Sequence, residues 1–132
     1  MKYFLLFLTL LPVAFATWVP HTKEDFLKYR LDCYKESNIT EANFEKIKKQ
    51  QFAHDHDTYC YIHCLGLKLG IWDELKGYDV DRVYETLKVH NLDVKKEDLS
   101  KCFHQVMDAD TCTWSAINWM CLWERKYITK KN

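Results

Sequence analysis

Cys60-Tyr61-Ile62-His63-Cys64 is the stretch that decides the fold of this 132-residue chain. Two cysteines four residues apart lie on the same face of an α-helix, with their side chains roughly parallel. They are better placed for two bonds to other helices than for one bond to each other. The stretch therefore predicts a helix that is cross-linked to its neighbours.

Four further cysteines bring the total to six. They are Cys33, Cys102, Cys112 and Cys121. An even number of cysteines in a short secreted chain indicates a disulfide framework, although six cysteines allow fifteen pairings. Cys112 and Cys121 lie about half a turn out of phase on a helix, so they should reach in opposite directions. The C-x2-C pairs typical of zinc sites are absent, which favours disulfides over a metal.

The first 16 residues predict export from the cell. Lys2 gives a positive start, and the apolar run that follows contains Pro12 and is shorter than the about 20 residues of a membrane span. Ala14-Phe15-Ala16 then matches the small-x-small pattern that signal peptidase accepts. We expect residues 1–16 to be a signal peptide and residues 17–132 to form one secreted, extracellular domain without membrane insertion.

Composition favours an all-α domain that does not bind nucleic acid. Basic and acidic side chains number 19 each, so the chain lacks the excess of Lys and Arg that neutralises phosphates. Three glycines and two prolines are too few for a sandwich of short strands. Capping residues and helical periodicity predict six helices with a turn around Gly77. The expected helix starts lie at or near Thr22, Thr40, Asp57, Asp79, Asp93 and Asp110.

Several boundaries follow from the same patterns. Thr22 and Asp25 resemble a capping box, and Gly70 is a plausible left-handed stop for the third helix. The fifth helix is expected to include Phe103 and Val106, and the sixth to run from Cys112 to about Tyr127. Asn38-Ile39-Thr40 is a glycosylation sequon in a predicted loop, although Thr40 is also needed as a helix cap.

The complete spacing, Cys33-x26-Cys60-x3-Cys64-x37-Cys102-x9-Cys112-x8-Cys121, resembles that of insect odorant-binding proteins, the six-cysteine pheromone- and general-odorant-binding family. Trp18-Val19-Pro20, the Cys60–Cys64 stretch and the Gly77 turn also resemble fly members of this family. The resemblance implies about six helices around an internal apolar cavity. It also implies three interlocked disulfides, Cys33–Cys64, Cys60–Cys112 and Cys102–Cys121.

No catalytic motif competes with this interpretation. The sequence lacks a G-x-S-x-G elbow, a Gly-rich phosphate loop and an H-E-x-x-H motif. If every cysteine is in a disulfide, no thiol is free to act as a nucleophile. His54 and His56 are candidate metal ligands, but alternating polar residues before a helix are usually solvated. We expect no enzyme activity, no metal site and no cofactor.

Aromatic residues are numerous, with seven Phe, eight Tyr and five Trp. In the family that the sequence resembles, the last two helices help to line the ligand cavity. This resemblance, combined with helical spacing, selects eleven candidate wall residues, each of which could equally be plain core. They are Ile62, Leu67, Val83, Tyr84, Leu87, Leu99, Phe103, Ala116, Trp119, Met120 and Trp123. Tyr84 and His104 are also candidates for an orienting hydrogen bond.

The expected function is reversible binding of a small hydrophobic ligand such as an odorant, a pheromone or a similar semiochemical. Release could be linked to pH through His63, His90 or His104. Tyr127-Ile128 is expected to form at most a short flap. A chemoreceptor is a candidate partner, and we expect a monomer or a weak homodimer.

Two alternatives stay open at this point. A salivary or haemolymph relative would sequester biogenic amines or lipids, and amine binding would call for acidic groups such as Asp108 and Asp110. A secreted protein-interaction module would have no ligand cavity at all.

Overall fold

The computed structural model describes residues 17–131, and the predicted signal peptide at residues 1–16 lies outside that range. The described chain folds into helices α1 (Lys23–Ser37), α2 (Glu41–Lys48), α3 (His56–Lys68), α4 (Val80–Val89), α5 (Lys96–Cys102) and α6 (Thr111–Glu124). Its short strands are β1 (Trp72–Asp73), β2 (Gly77–Tyr78), β3 (Leu92–Asp93) and β4 (Thr129–Lys130). The all-α class with about six helices is confirmed. Within the described range, no helix is both long and apolar enough for a membrane crossing.

Four of the six helices start at the predicted capping residue, whereas α3 is capped by Asp55, two residues before the predicted Asp57, and α5 starts after Lys95 rather than Asp93. A capping box between Thr22 and Asp25 is present at the start of α1. Four further caps accept a hydrogen bond from the backbone N–H three residues on: the predicted Thr40, Asp79 and Asp110, and also Asp55. Each bond satisfies one of the donors that the first turn of a helix leaves without a partner.

Two helices are shorter than the sequence predicts. Asp93 pairs in β3, so α5 starts later, and Phe103 and Val106 follow the helix rather than belonging to it. Helix α6 ends before Tyr127, because Lys126 takes a left-handed φ of 59° and the chain turns back into β4. The pairing of β3 with β4 lies just outside these two helices, before α5 and after α6.

Two glycines fix the connection between α3 and α4. Gly70 has a φ of +70° directly after α3, as predicted, and Gly77 has a φ of +84° in the hairpin of β1 and β2. A Cβ atom at Gly70 would lie 2.8 Å from the Trp18 ring, and one at Gly77 would lie 2.9 Å from the Trp114 ring. Glycine is therefore required at both positions for backbone conformation and for space.

Three disulfides cross-link the helices with the pairing that the resemblance implies, which confirms that prediction. The bonds are Cys33–Cys64 between α1 and α3, Cys60–Cys112 between α3 and α6, and Cys102–Cys121 between α5 and α6. Helix α3 is bonded to two other helices because its two cysteines share one face, as their spacing indicates. Helices α2 and α4 carry no cysteine.

The buried side chains form two clusters. The first cluster joins the β1–β2 hairpin to α4, α5 and α6, and its buried members include Ile71, Val83, Leu87, Leu99 and Leu122. The second cluster joins α1, α2 and α3 to the middle of α6, and its buried members include Ile39, Phe44, Tyr61, Ile62 and Met120. Trp119 of α6 packs against both clusters. Packing of the core is interrupted at the boundary between the two clusters, where a cavity lies.

Candidate ligand-binding site

A cavity of about 200 Å³ lies where the two clusters meet. The first cluster contributes Leu69, Ile71 and Leu87 to its wall, and the second contributes Ile47 and Ile62. Helices α2, α3 and α4 and strand β1 supply these side chains or the residues next to them. The cavity is therefore a feature of how the helices are arranged, and no single helix defines it.

Aromatic side chains form much of the remaining wall. They are Phe26, Phe52, Tyr61, Tyr78, Trp119 and Trp123. The Tyr78 and Trp119 rings lie 5.7 Å apart between centroids. The Tyr78 hydroxyl lies 2.7 Å from Ser115 Oγ, and complete burial raises the pKa of Tyr78 far above its ordinary value. Tyr78 is therefore a neutral, anchored part of the wall at any physiological pH.

A few polar groups interrupt this apolar lining. Thr86 and His90, one turn apart on α4 and its C-cap, both line the cavity. Thr86 Oγ1, His90 Nε2 and the Trp123 indole nitrogen Nε1 are buried without a hydrogen-bond partner among the described residues. Burial, and secondly the positive charge of Lys23, holds the pKa of His90 below its ordinary value. His90 is therefore predominantly neutral at neutral pH.

Four of the eleven predicted wall residues line this cavity together. They are Ile62, Leu87, Trp119 and Trp123. Ile62 lies on α3 and Leu87 on α4, and the two tryptophans lie one turn apart on α6. All four lie at the boundary between the clusters. Their contact with a ligand stays a prediction.

The other seven predicted residues lie elsewhere. Val83, Leu99, Ala116 and Met120 are buried in the two clusters without lining the cavity. Leu67 is 44% exposed, because it lies five residues from Ile62 on α3 and so points about 140° away from it.

Phe103 lines a second cavity of about 210 Å³, together with His104 and Asn118. Tyr84 is half-buried, and its ring is covered by the ammonium groups of Lys88 and Lys96 at 5.3 and 5.0 Å. Ligand contact by these residues also stays a prediction, but it would have to involve a different site from the cavity described above.

The wall residues that sequence reasoning missed come mainly from the N-terminal half. They are Phe26, Arg30, Ile47, Lys48, Gln50, Phe52, Tyr61, Leu65, Gly66, Leu69, Ile71, Tyr78, Thr86, His90 and Leu92. Ile62, Leu65 and Leu69 share one face of α3 at helical spacing, which is a signal that was present in the sequence. The resemblance directed attention to the last two helices and away from this face.

The remaining polar residues singled out from sequence lie outside this cavity. His56 Nε2 is 3.2 Å from an Asp110 carboxylate oxygen, and His54 Nδ1 is 3.3 Å from the Tyr59 hydroxyl. His63 Nε2 is 2.7 Å from a Glu74 carboxylate oxygen. These histidines are thus engaged with protein groups at the surface.

The C-terminal segment packs behind the wall and does not line the cavity. Ile128 is 5% exposed and belongs to the first cluster, and Tyr127 packs against that cluster. Strand β4 pairs antiparallel with β3, which follows α4. The segment therefore braces the α4 side of the cavity.

Fold and site together define a class of protein: a small helical domain, cross-linked by three disulfides, with an apolar cavity between its helices. A model of the PBP/GOBP family matches residues 15–125. The chain belongs to the PBP/GOBP family.

Individual relatives agree with this assignment. Odorant-binding protein 22 of Aedes aegypti is 32% identical over 123 residues, which are 92% of this chain and 88% of the relative. General odorant-binding protein 99a of Drosophila melanogaster is 29% identical over 126 residues, covering 92% and 89%.

Solved structures share the fold at lower identity. Odorant binding protein 5 of Apis mellifera superposes with a TM-score of 0.60 at 19% identity, over 78% of this chain and 87% of that one. Odorant-binding protein dmelOBP28a of Drosophila melanogaster gives 0.58 at 18% identity, over 79% and 94%. At this identity the likeness establishes the fold alone.

Proposed function

We propose that this chain is a secreted carrier that reversibly binds a small hydrophobic ligand, such as an odorant, a pheromone or a similar semiochemical, in the cavity between the two clusters. The observation that carries this proposal is the cavity itself, whose wall is mostly apolar and aromatic. Small-molecule sites usually have walls of this composition. The relatives are named odorant-binding proteins, which supports a binding role.

Binding would be driven by the transfer of apolar surface out of water, worth about 25 cal/mol per Å² before the costs of association. A closed apolar cavity of about 150 Å³ is enough to hold benzene. At about 200 Å³, this cavity suits an occupant somewhat larger than one aromatic ring. Micromolar affinity, near −8 kcal/mol, is the ordinary expectation for such a ligand.

Secretion is part of the same proposal. Residues 1–16 would direct export and be removed, and residues 17–132 would act outside the cell as the carrier. Oxidising surroundings suit a domain with three disulfides. A chemoreceptor partner and a monomeric or weakly dimeric state stay predictions from the sequence.

The amine-scavenging alternative receives less support. Among residues 17–131, no Asp or Glu side chain lines the cavity. Asp110 caps α6 and lies beside His56, and Asp108 takes a left-handed φ of 56° in the preceding loop. A cationic amine would therefore find no counter-charge in the cavity wall.

The test is a titration of delipidated, oxidised protein with the fluorescent probe N-phenylnaphthylamine. Leu65 lines the cavity and Leu67 points away from it on the same helix, so Leu65→Trp and Leu67→Trp form a matched pair. We expect saturable uptake that Leu65→Trp weakens about tenfold or more, because the larger side chain fills the cavity. Leu67→Trp should leave uptake nearly unchanged.

Circular dichroism of each variant would verify that it is folded. Absence of uptake by the folded wild-type protein would contradict the carrier proposal and favour a protein-interaction module. Equal losses in the two variants would place the probe outside this cavity.

A further inference from the structure

The second cavity, of about 210 Å³, lies between the β1–β2 hairpin and the loop that follows α5, with α6 forming one wall. Trp114 and Asn118, one turn apart on α6, line that wall, and both are buried. Phe103 comes from the loop and Tyr78 from the hairpin. We call this the second cavity, and the cavity between the two clusters the first cavity.

The ring of Tyr78 separates the two cavities, because it lines both of them. Its centre lies 5.0 Å from that of Phe103, which lines the second cavity, and 5.7 Å from that of Trp119, which lines the first. The Tyr78 hydroxyl is hydrogen-bonded to Ser115 Oγ at 2.7 Å, which holds the ring in this position. A ligand in one cavity therefore need not displace a ligand from the other.

Asn118 brings an unpartnered hydrogen-bond donor to the second cavity. Its side chain is 1% exposed, and its Oδ1 accepts a hydrogen bond from the His104 backbone N–H at 3.0 Å. Because a backbone N–H can only donate, the amide oxygen must face His104, and Nδ2 is the atom left over. Nδ2 is buried without a hydrogen-bond partner among residues 17–131. A buried donor without an acceptor is costly, so an occupant that supplies an acceptor is favoured.

The loop wall of the second cavity is held in place by α6. The His104 carbonyl accepts a hydrogen bond from Trp114 Nε1 at 3.0 Å, and Asn118 binds the N–H of the same residue. The Cys102–Cys121 disulfide joins the end of α5 to the next turn of α6. Three attachments along one face of α6 therefore fix the loop, which lowers the cost of ordering it when a ligand binds.

The size of the second cavity exceeds the needs of a single water molecule. A water takes up about 30 Å³ in the liquid, whereas a cavity of about 150 Å³ holds benzene. At about 210 Å³, the second cavity suits one aromatic ring with a short substituent.

The charges around the second cavity do not favour an ionic ligand. No Asp or Glu of residues 17–131 lines it, so a cationic ligand would find no counter-charge in the wall. Lys76 lines it and is exposed. The Asp73 carboxylate lies beside Lys76 and accepts its backbone N–H at 2.8 Å, which offsets the positive charge. The buried polar group that remains is the neutral amide of Asn118.

We propose that the second cavity binds small uncharged carbonyl compounds of about one aromatic ring, with the carbonyl oxygen accepting a hydrogen bond from Asn118 Nδ2. The ring of such a ligand would lie among Tyr78, Phe103 and Trp114, since aromatic rings pack well against one another. Leu75 also lines this cavity although it is 87% exposed, so a ligand would cover part of its apolar surface. This site is additional to the proposed function, which concerns the first cavity.

The experiment is an NMR titration of ¹⁵N-labelled, delipidated, oxidised protein with the first cavity saturated by N-phenylnaphthylamine. The Asn118 side-chain amide and the Trp114 indole N–H report on the second cavity, and the Trp123 indole N–H reports on the first. The ligands are acetophenone, ethylbenzene, which is similar in size but has no carbonyl, and benzoate, which is charged. We expect acetophenone to shift the second-cavity signals saturably, and both other ligands to bind there about fivefold or more weakly.

Asn118→Asp tests the donor directly. The variant keeps an oxygen for the His104 N–H but replaces Nδ2 by a second acceptor, so acetophenone binding followed at Trp114 should weaken about tenfold. Uptake of N-phenylnaphthylamine by the first cavity should stay nearly unchanged. Gln51→Glu is the matched control, because it makes the same change from amide to carboxylate at an exposed position that lines neither cavity. It should alter neither measurement.

The outcomes separate this site from the carrier function, which the uptake of N-phenylnaphthylamine tests on its own. Acetophenone shifts confined to Trp123, or no shift at all, would mean that the second cavity holds only water and would overturn the proposal. Ethylbenzene or benzoate binding there as tightly as acetophenone would overturn the ligand class. If Asn118→Asp does not fold, the comparison of the three ligands on the wild-type protein decides the question.

Discussion

Two groups of helices enclose the cavity, and they are held in different ways. Helices α1, α3 and α6, with the end of α5, are joined by three disulfides, and we call them the cross-linked frame. Helices α2 and α4 carry no cysteine, and we call them the cysteine-free walls. Helix α2 contributes Ile47 and Lys48 to the cavity, and α4 contributes Thr86 and Leu87. Cavity-lining residues therefore come from both groups, but only one group is joined by disulfides.

The difference indicates how a cavity can persist in so small a domain. A helical core without cross-links tends to close around an empty space, because each side chain gains contacts by doing so. Disulfides restrict the chain on one side of the cavity, while the cysteine-free walls depend on packing, caps and the short β3–β4 pairing. We expect the walls to be the part of the molecule that adjusts when a ligand enters or leaves.

The largest effect should come from breaking the frame. Replacing Cys60 and Cys112 by alanine removes the bond between α3 and α6, which closes a sequence separation of 52 residues. The loss of unfolding free energy should be about 4 kcal/mol, against about 3 kcal/mol for the Cys102–Cys121 bond with its separation of 19 residues. Guanidinium chloride unfolding measures both. If removing the Cys60–Cys112 bond cost less unfolding free energy than the Ile128→Ala change described below, the division into frame and walls would be contradicted.

A smaller effect should follow when the support of the α4 wall is removed. Ile128 is buried in the first cluster, directly before the strand that pairs with β3. Ile128→Ala should lower the unfolding free energy by about 2–4 kcal/mol, because it leaves a cavity in that cluster. Amide hydrogen exchange should increase in α4 more than in α3. Thr129→Ala, at an exposed position of β4, is the control, and equal acceleration across all helices would show that the wall is not a separate unit.

The α2 wall should respond more weakly to loss of its cap. The Thr40 side chain accepts a hydrogen bond from the Asn43 backbone N–H at 3.1 Å. Thr40→Ala should lower the unfolding free energy by about 1 kcal/mol, and Thr40→Ser, which keeps the hydroxyl, should restore most of it. Protein from bacteria is the right material, because Thr40→Ala also removes the sequon at Asn38. An equal loss in both variants would contradict the capping role.

The smallest effect should be a pH dependence at the end of α4. The pKa of His90 is lower in the folded protein than in the unfolded chain, first because of burial and then because of the charge of Lys23. The unfolded chain therefore binds a proton at His90 more readily than the folded protein does. The neutral form of His90 favours folding above pH ~6.5, and this stabilisation is lost as the pH falls through the lower pKa of the folded protein. His90→Gln should flatten this part of the stability profile measured by urea unfolding.

The control for this measurement is His54→Gln, which changes an exposed histidine outside the cavity. It should leave the profile unaltered in the same range. A profile that His90→Gln does not change would mean that another group causes the loss of stability at low pH.

Sequence alone determined the features that depend on local rules. The capping residues Thr22, Thr40, Asp79 and Asp110 placed four helix starts, because a cap bonds only to the turn that follows it. The spacing of the six cysteines led, through a family resemblance, to the disulfide pairing found in the structure. Composition and the scarcity of glycine and proline gave the all-α class.

Only the tertiary structure decided which apolar side chains face the cavity. Val83 and Leu87 are one turn apart on α4, and both are almost fully buried, yet only Leu87 lines the cavity. Helical periodicity selects the buried face of a helix, but it does not distinguish a side chain packed against protein from one beside a void.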